Sequence, residues 1–334
     1  MRISVLVLDG VFDSGLAVVV DTLAMANDLL EGPRRSSRNE VTVCGLRRTA
    51  TTQQGHKVPL APVRGGPRPD VVVVPALGCK TRETVLAALE RSDIRDACEL
   101  LRAWRKAGVR VAGACTATFV LAHSGILDGG RATTTWWLSP LFRERFPRVT
   151  LDESRMIVDS SRVVTAGAAL AHVDLALWLV RQRSPELAHM TARYLVFDAR
   201  PSQAAYSMPD HLAHADPMVE RFERWARHHL TDFTLEGAAR HVGASERTLE
   251  RRTRAVLGKT PLSFVQDLRV EVAVFRLRTT KASIEDIAAV VGYGDGVTLR
   301  TLLRKKTGRG IRELRALSVP PGEPQQRGDA STRC

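Results

Sequence analysis

Apolar and polar positions along the chain fall into two regimes. Over the first two hundred residues, short β-branched runs recur at Ile3–Leu8, Val41–Leu46, Val71–Pro75 and Val109–Ala112. Continuous apolar runs of this length suit strands buried on both faces of a parallel sheet. Helical stretches separate them, from Leu16 to Leu30, Arg82 to Ala107 and Ala117 to His123. Shorter strand candidates follow at Arg131–Thr135, Met156–Asp159 and Val163–Thr165, then helices over Leu170–Arg183 and Pro185–Phe197. Strands alternating with helices predict an α/β sandwich with a mostly parallel sheet. The pattern lapses between Asp198 and Pro217, then turns wholly helical as far as Leu317. These shifts divide the chain into an α/β domain (1–200), a linker (201–217), an all-α domain (218–317) and a Pro- and Gly-rich tail (318–334) expected to be disordered.

The helical region contains an internal repeat. Leu235, Ala238, Ala239 and Val242 are spaced i, i+3, i+4, i+7 and precede Gly243. Ile284, Ile287, Ala288 and Val291 repeat that spacing and precede Gly292. Each copy continues into a second helix, opened by Thr248-Leu249 or Thr298-Leu299 and ending at Gly258 or Gly308. Ser283 with Asp286 reads as a capping box, and Thr234 as an N-cap. Helix, tight glycine turn, helix is the helix-turn-helix arrangement, here present twice.

Charge sharpens this picture. The 334 residues carry 49 Lys+Arg against 36 Asp+Glu, a formal net charge of +13. Residues 218–317 alone hold 20 basic and 12 acidic residues. A compact basic block points to a polyanion, nucleic acid before membrane. The longest apolar stretch, Val163 to Val180, is broken by His172 and Asp174, so no membrane span is expected. Ile3–Leu8 is too short for a signal peptide. Five scattered cysteines form no Cys-x-x-Cys pair, which argues against a disulfide scaffold or a metal site and fits a reducing cytoplasm.

Within the repeat, Leu249, Val256 and Leu257 can face a core while Glu246, Arg247, Glu250, Arg251 and Arg254 project outward. In the second copy Leu299, Leu302 and Leu303 turn inward, leaving Thr298, Arg300, Thr301, Arg304 and Lys305 exposed. Arg, Thr and Glu address base edges, and flanking Lys and Arg suit phosphates. A joining helix over Leu262–Thr280 would be ~27 Å long at 1.5 Å per residue. That length can set two reading helices in successive major grooves, ~34 Å apart. An all-α protein-interaction module with solvated arginine faces is the competing interpretation.

Residues 218–317 resemble the AraC/XylS-type DNA-binding domain. The resemblance rests on Ser245-Glu246-Arg247-Thr248-Leu249-Glu250-Arg251-Arg252 and on Ile284 to Ala288 continuing through Val291-Gly292-Tyr293-Gly294-Asp295. It implies double-stranded DNA as partner, with Ser245, Arg247, Thr248, Glu250 and Arg251 in the first reading helix. Thr298, Arg300, Thr301, Arg304 and Lys305 belong to the second. Leu299 and Leu303 stand where that family commonly has phenylalanine, and Ile311 where proline is common.

One residue of the α/β half stands out. Val109–Ala112 reads as a strand and Thr116–His123 as a helix, which puts Cys115 on the elbow between them. There a helix N-terminus would lower a thiol pKa. A small buried cysteine is the plain structural alternative. Residues 1–195 resemble the PfpI/class I glutamine amidotransferase-like family, a flavodoxin-like sandwich with a nucleophilic cysteine at this elbow. The matching stretches are Asp9-Gly10, Val72-Val73-Val74-Pro75, Ala112-Gly113-Ala114-Cys115-Thr116, Leu127-Asp128-Gly129, Arg131 to Thr134 and Thr165-Ala166-Gly167. Active relatives carry a histidine after the Thr-Thr step, where this chain has Thr135, and the early acidic residue of part of the family falls near Gly15. A thiol without a base is a poor hydrolase. Cys115 is therefore expected to be a vestigial nucleophile in a ligand pocket with Gly78, Thr116 and Thr135, requiring no cofactor or metal. A cysteine amidohydrolase or peptidase that also binds DNA is the alternative.

The two resemblances together imply a cytoplasmic transcriptional regulator, commonly an activator. It would be a homodimer through residues 1–200, with RNA polymerase and a small-molecule effector as further partners.

Overall fold

The computed structural model describes residues 1–30, 38–63, 66–198, 200, 202–203 and 216–316. The tail expected at 318–334, and most of the linker expected at 201–217, lie outside them.

The first half is built from β1 (Arg2–Leu6), α1 (Asp13–Asp28), β2 (Glu40–Gly45), the hairpin strands β3 (Thr49–Thr51) and β4 (Lys57–Pro59), β5 (Ala61–Pro62), β6 (Val71–Val74), α2 (Arg82–Leu89), α3 (Ser92–Lys106), β7 (Arg110–Ala114) and α4 (Ala117–His123). Next come β8 (Arg131–Ala132), a 3-10 turn over Trp136–Leu138, α5 (Ser139–Arg145), β9 (Thr150–Leu151), β10 (Ile157–Ser160), β11 (Val163–Ala166), α6 (Ala171–Arg181) and α7 (Pro185–Tyr194). Seven strands form one sheet in the order β10-β11-β7-β6-β1-β2-β5. All pairs are parallel except β10–β11.

Alternation along each strand assigns the two faces. Val72 and Val74 join Leu6 and Val111 in a core covered by α2, α3 and α4. Val71 and Val73 join Ile3, Val5 and Ala112 in a second core under α1, α6 and α7. This is the α/β sandwich expected from the alternating runs.

Two of the expected elements take a different form. The helix expected over Arg82–Ala107 is two helices, because the apolar phase slips. Val85, Ala88 and Leu89 are buried in the first and Ile94, Ala97, Cys98 and Leu101 in the second, out of register with them. Arg91 sits extended at the break and binds Asp93 and the Asp9 carbonyl. The strand expected over Arg131–Thr135 stops at Ala132, since Thr133 and Thr134 spend their polar groups on Thr165, Arg155 and Cys115.

Gln203, from the segment expected to be linker, is buried against the sandwich. Its amide donates to the Thr134 carbonyl at 2.9 Å, and its oxygen accepts from the Ala168 N–H.

The second half comprises α8 (Pro217–His228), α9 (Leu235–Val242), α10 (Glu246–Leu257), α11 (Pro261–Thr279), α12 (Ile284–Val290), α13 (Gly296–Thr307) and α14 (Ile311–Ala316). Phe222, Ala238, Ala239, Val242, Leu249 and Leu257 form one core. Ile284, Ile287, Ala288, Val291, Leu299 and Leu303 form its repeat. The spacer helix α11 serves both, giving Phe264, Val265 and Leu268 to the first and Val270, Ala273, Val274 and Leu277 to the second. Leu299 and Leu303 fill the second core in place of aromatic rings.

Leu249 is fully buried at the centre of the first unit. Leu249→Ala should cost about 2–5 kcal/mol, the transfer and cavity terms together. Urea unfolding followed by circular dichroism would show it as a lower midpoint; an unchanged midpoint would contradict this packing.

Candidate DNA-reading face and cysteine cavity

Each reading helix is started by a side-chain cap. Ser245 accepts from the Thr248 N–H at the head of α10. Asp295 accepts from the Thr298 N–H at 2.7 Å at the head of α13. Each ends at a glycine in the left-handed region, Gly258 (φ 67°) and Gly308 (φ 73°). The caps fix which stripe faces out.

On α10 that outward stripe carries Arg247, Glu250, Arg251 and Arg254. Arg247, Arg251 and Arg254 are exposed, and their guanidinium groups pair with nothing among the described residues. Unpaired arginines on the open face of a second helix can fork onto guanine O6 and N7 without first breaking an internal bond. On α13 Arg304 and Lys305 are likewise exposed and unpaired among the described residues. Arg300, by contrast, is bonded to Glu285 at 3.1 Å, Thr301 returns its hydroxyl to the Val297 carbonyl, and Thr298 is held by Asp295. Ser245 and Thr248 are occupied with each other as cap partners.

The cysteine site is built around strain. Cys115 adopts φ 56°, a conformation that costs a non-glycine residue about 1–2 kcal/mol. Bonds on both sides of it hold it there. Its N–H donates to the Ala166 carbonyl at 3.0 Å, and its carbonyl accepts from the Thr134 hydroxyl at 2.8 Å. It lines a cavity of about 430 Å³ with Phe12, Gln53, Leu77, Gly78, Cys79, Lys80, Trp136, Trp137 and Ala169. Of the residues expected at a pocket, Gly78 and Cys115 line it. Thr116 lies behind the wall, donating to the Leu77 carbonyl, and Thr135 is fully buried, its hydroxyl without a hydrogen-bond partner among the described residues. Phe12, Gln53, Cys79 and Ala169 come from separate loops that no local motif announces.

The expected lowering of the Cys115 pKa is overturned. Burial pushes the thiol up to about 11, outweighing the Thr116 N–H and hydroxyl that favour the thiolate. Nor does a histidine among the described residues serve it. His172 is buried with its pKa driven down to about 4 by burial. Its Nε2 accepts from the Ala76 N–H and its Nδ1 donates to the Ala169 carbonyl, so both ring nitrogens are committed. A Cβ at Gly15 would collide with this ring. His56 pairs with Asp13, and His123 lies on α4 with its pKa lowered by burial. No His/Cys/Asp/Glu group among the described residues could hold a metal ion.

Trp136 belongs to both sites. It walls the cavity, stands edge-on to Trp137 with ring centroids 5.4 Å apart, and packs into the core of the first helix-turn-helix unit. Beside it α5 meets α10: Arg143 lies over Gly258, where any Cβ would collide with the guanidinium. Glu153 binds Arg143 and reaches Lys259 at 3.6 Å. Burial opposes the Lys259 charge, yet Asp267 and Glu153 hold its pKa above the ordinary lysine value.

Two helix-turn-helix units on a shared spine, with arginines on a reading helix that are unpaired among the described residues, mark a DNA-binding regulator. Comparison with known proteins agrees. Residues 238–316 match the family model described as a helix-turn-helix domain. The chain is 28 % identical over 236 residues to the HTH-type transcriptional regulator CdhR of Pseudomonas aeruginosa, covering 67 % of this chain and 70 % of that protein. It is 27 % identical over 297 residues to the regulator GbdR of the same species, covering 87 % and 77 %. The α/β half superposes on a candidate transcriptional regulator protein of Vibrio parahaemolyticus with TM-score 0.50 and 17 % identity, covering 58 % of this chain and 98 % of that one. The chain thus carries a helix-turn-helix domain over residues 238–316, is similar along most of its length to HTH-type transcriptional regulators, and has an α/β half with the fold of the Vibrio structure.

Two measurements test the sites. With its thiol near 11, Cys115 should be alkylated by iodoacetamide at pH 7.5 on the order of a hundredfold more slowly than an ordinary exposed thiol, with a rate rising about tenfold per pH unit to pH 9.5. Peptide mass spectrometry would resolve it, and a rate already level by pH 8 would contradict the burial argument. Arg251→Ala should cost about 1–3 kcal/mol and relax base preference at one position, whereas Lys305→Ala should weaken all duplexes about equally. Equal, uniform losses in a binding titration would reverse those roles.

Proposed function

We propose that the chain is a ligand-responsive regulator, acting as a homodimer in the cytoplasm, whose Cys115 cavity binds a small effector and performs no hydrolysis. The observation that supports it is the sharing of Trp136. An occupant of the cavity touches the same indole that belongs to the apolar core of Phe222, Leu249 and Leu257. Filling the cavity therefore bears on the seat of α10 through one side chain. A ligand shifts such an equilibrium only by its differential affinity for the two arrangements.

DNA contact is assigned to Arg247, Arg251 and Arg254 on the first unit and Arg304 and Lys305 on the second, with recruitment of RNA polymerase as the activating step. The absence of catalysis rests on the protonated, buried thiol and on the commitment of His172. A nucleophile without an acid–base partner forfeits roughly 10²–10⁴-fold from proton transfer alone. No described helix is long and apolar enough to cross a membrane.

The test uses full-length protein on a duplex selected from random DNA. Affinity should shift several-fold when a cellular small-molecule extract is added. Ala169→Trp, which fills the cavity from its rim, should abolish the shift while sparing basal binding. An extract without effect, or an equal effect on the variant, would sink the sensing role. Hydrolysis of glutamine, amides or peptides lost in Cys115→Ser would make the chain an enzyme instead.

A further inference from the structure

The two reading helices present different chemistry at equivalent positions. Aligning Thr248-Leu249 with Thr298-Leu299 places Arg247, Glu250, Arg251 and Arg254 opposite Val297, Arg300, Thr301 and Arg304. Both sets follow i, i+3, i+4, i+7, so each is a single stripe on its helix. All four members of the second stripe are exposed, while Gly296, Leu299, Leu303 and Thr307 on the opposite side are buried. Val297 therefore occupies the position that holds an unpaired arginine in the first unit. It is 65 % exposed in the first turn of α13.

Resting on the DNA-binding reading of this domain, we infer that Val297 recognises the C5 methyl of a thymine, making the second unit's readout apolar where the first unit's is cationic. Three observations carry this. Exposed Arg304, Lys305 and Arg312 lie along or just beyond α13, which suits an anionic partner rather than an apolar protein groove. The polar atoms nearest Val297 are already spent, with Arg300 on Glu285, Thr298 on Asp295 and the Thr301 hydroxyl on the Val297 carbonyl. What remains at the leading end of the stripe is aliphatic, and in the major groove only thymine offers a methyl group to meet it. The bound site is thus expected to be asymmetric, with guanine under α10 and thymine under α13.

The experiment takes duplexes selected from random DNA by the full-length protein. The half-site that keeps its base preference in Arg251→Ala is assigned to the second unit. Each thymine of that half is then replaced by deoxyuridine, which removes only the methyl. At one position the wild type should lose about fourfold in affinity, the value of one buried methyl. Val297→Ala should bind the thymine and uracil duplexes alike, with an unchanged dependence on salt. Val297 is exposed, so the variant should fold, and circular dichroism verifies this. If the wild type binds tightly and salt-dependently yet ignores every uracil, or if Val297→Ala keeps the uracil penalty, the inference fails while the DNA-binding reading stands. If Val297→Ala alters transcription in vitro but not DNA affinity, Val297 faces polymerase and the inference also fails. Salt-independent binding by the wild type would instead overturn the DNA-binding reading itself.

Discussion

Everything on the DNA side of the molecule depends on one helix being buried in two places at once. The 19 residues of α11 supply Phe264, Val265 and Leu268 to one core and Val270, Ala273, Val274 and Leu277 to the other. At 1.5 Å per residue the helix spans ~28 Å, and side chains locked in two close-packed cores leave it little freedom to bend or roll. The reading helices α10 and α13 each rest on one of those cores. Their separation is thus a property of a packed interior, not of a linker.

The sandwich shows a different economy. Its parallel strands put Cys115 at the end of β7, where the chain must turn sharply into α4, and bonds from Thr134 and to Ala166 hold the strained residue in place. The fold keeps this elbow although burial raises the thiol and His172 is tied to the backbone on both sides. An elbow without chemistry still shapes a cavity. Here the cavity shares a wall with another domain, so geometry that elsewhere serves a reaction can serve a contact.

Much of this was legible from the chain itself. The runs at Val71–Pro75 and Val109–Ala112 read as strands because they are short and rich in β-branched residues. The repeat was legible because both of its copies solve the same packing problem with the same spacing. Short-range pattern failed where contacts are long-range. The break at Arg91 is a phase slip of two buried stripes, visible only once both helices lie on the sheet. Strands Thr49–Thr51 and Lys57–Pro59 are too short to carry a period. Nothing in the local pattern marks Trp136; its second role exists only because the core of the first helix-turn-helix unit forms around it. The helix-terminus argument for Cys115 was correct in sign but too small to overcome burial.

Asp267 on α11 binds Lys259 at 2.9 Å from the first unit's end and Lys306 at 2.7 Å from α13. All three side chains are only about a fifth exposed. Mobile ions screen charges in water over ~8 Å at physiological strength but reach sheltered pairs poorly. The exposed arginines of α10 have no such shelter. As ionic strength rises, the grip on phosphate should therefore fail before the brace between the two halves loosens. The domain would leave its site as a rigid calliper, still set to the same gap, and ready to close on the next stretch of DNA without refolding.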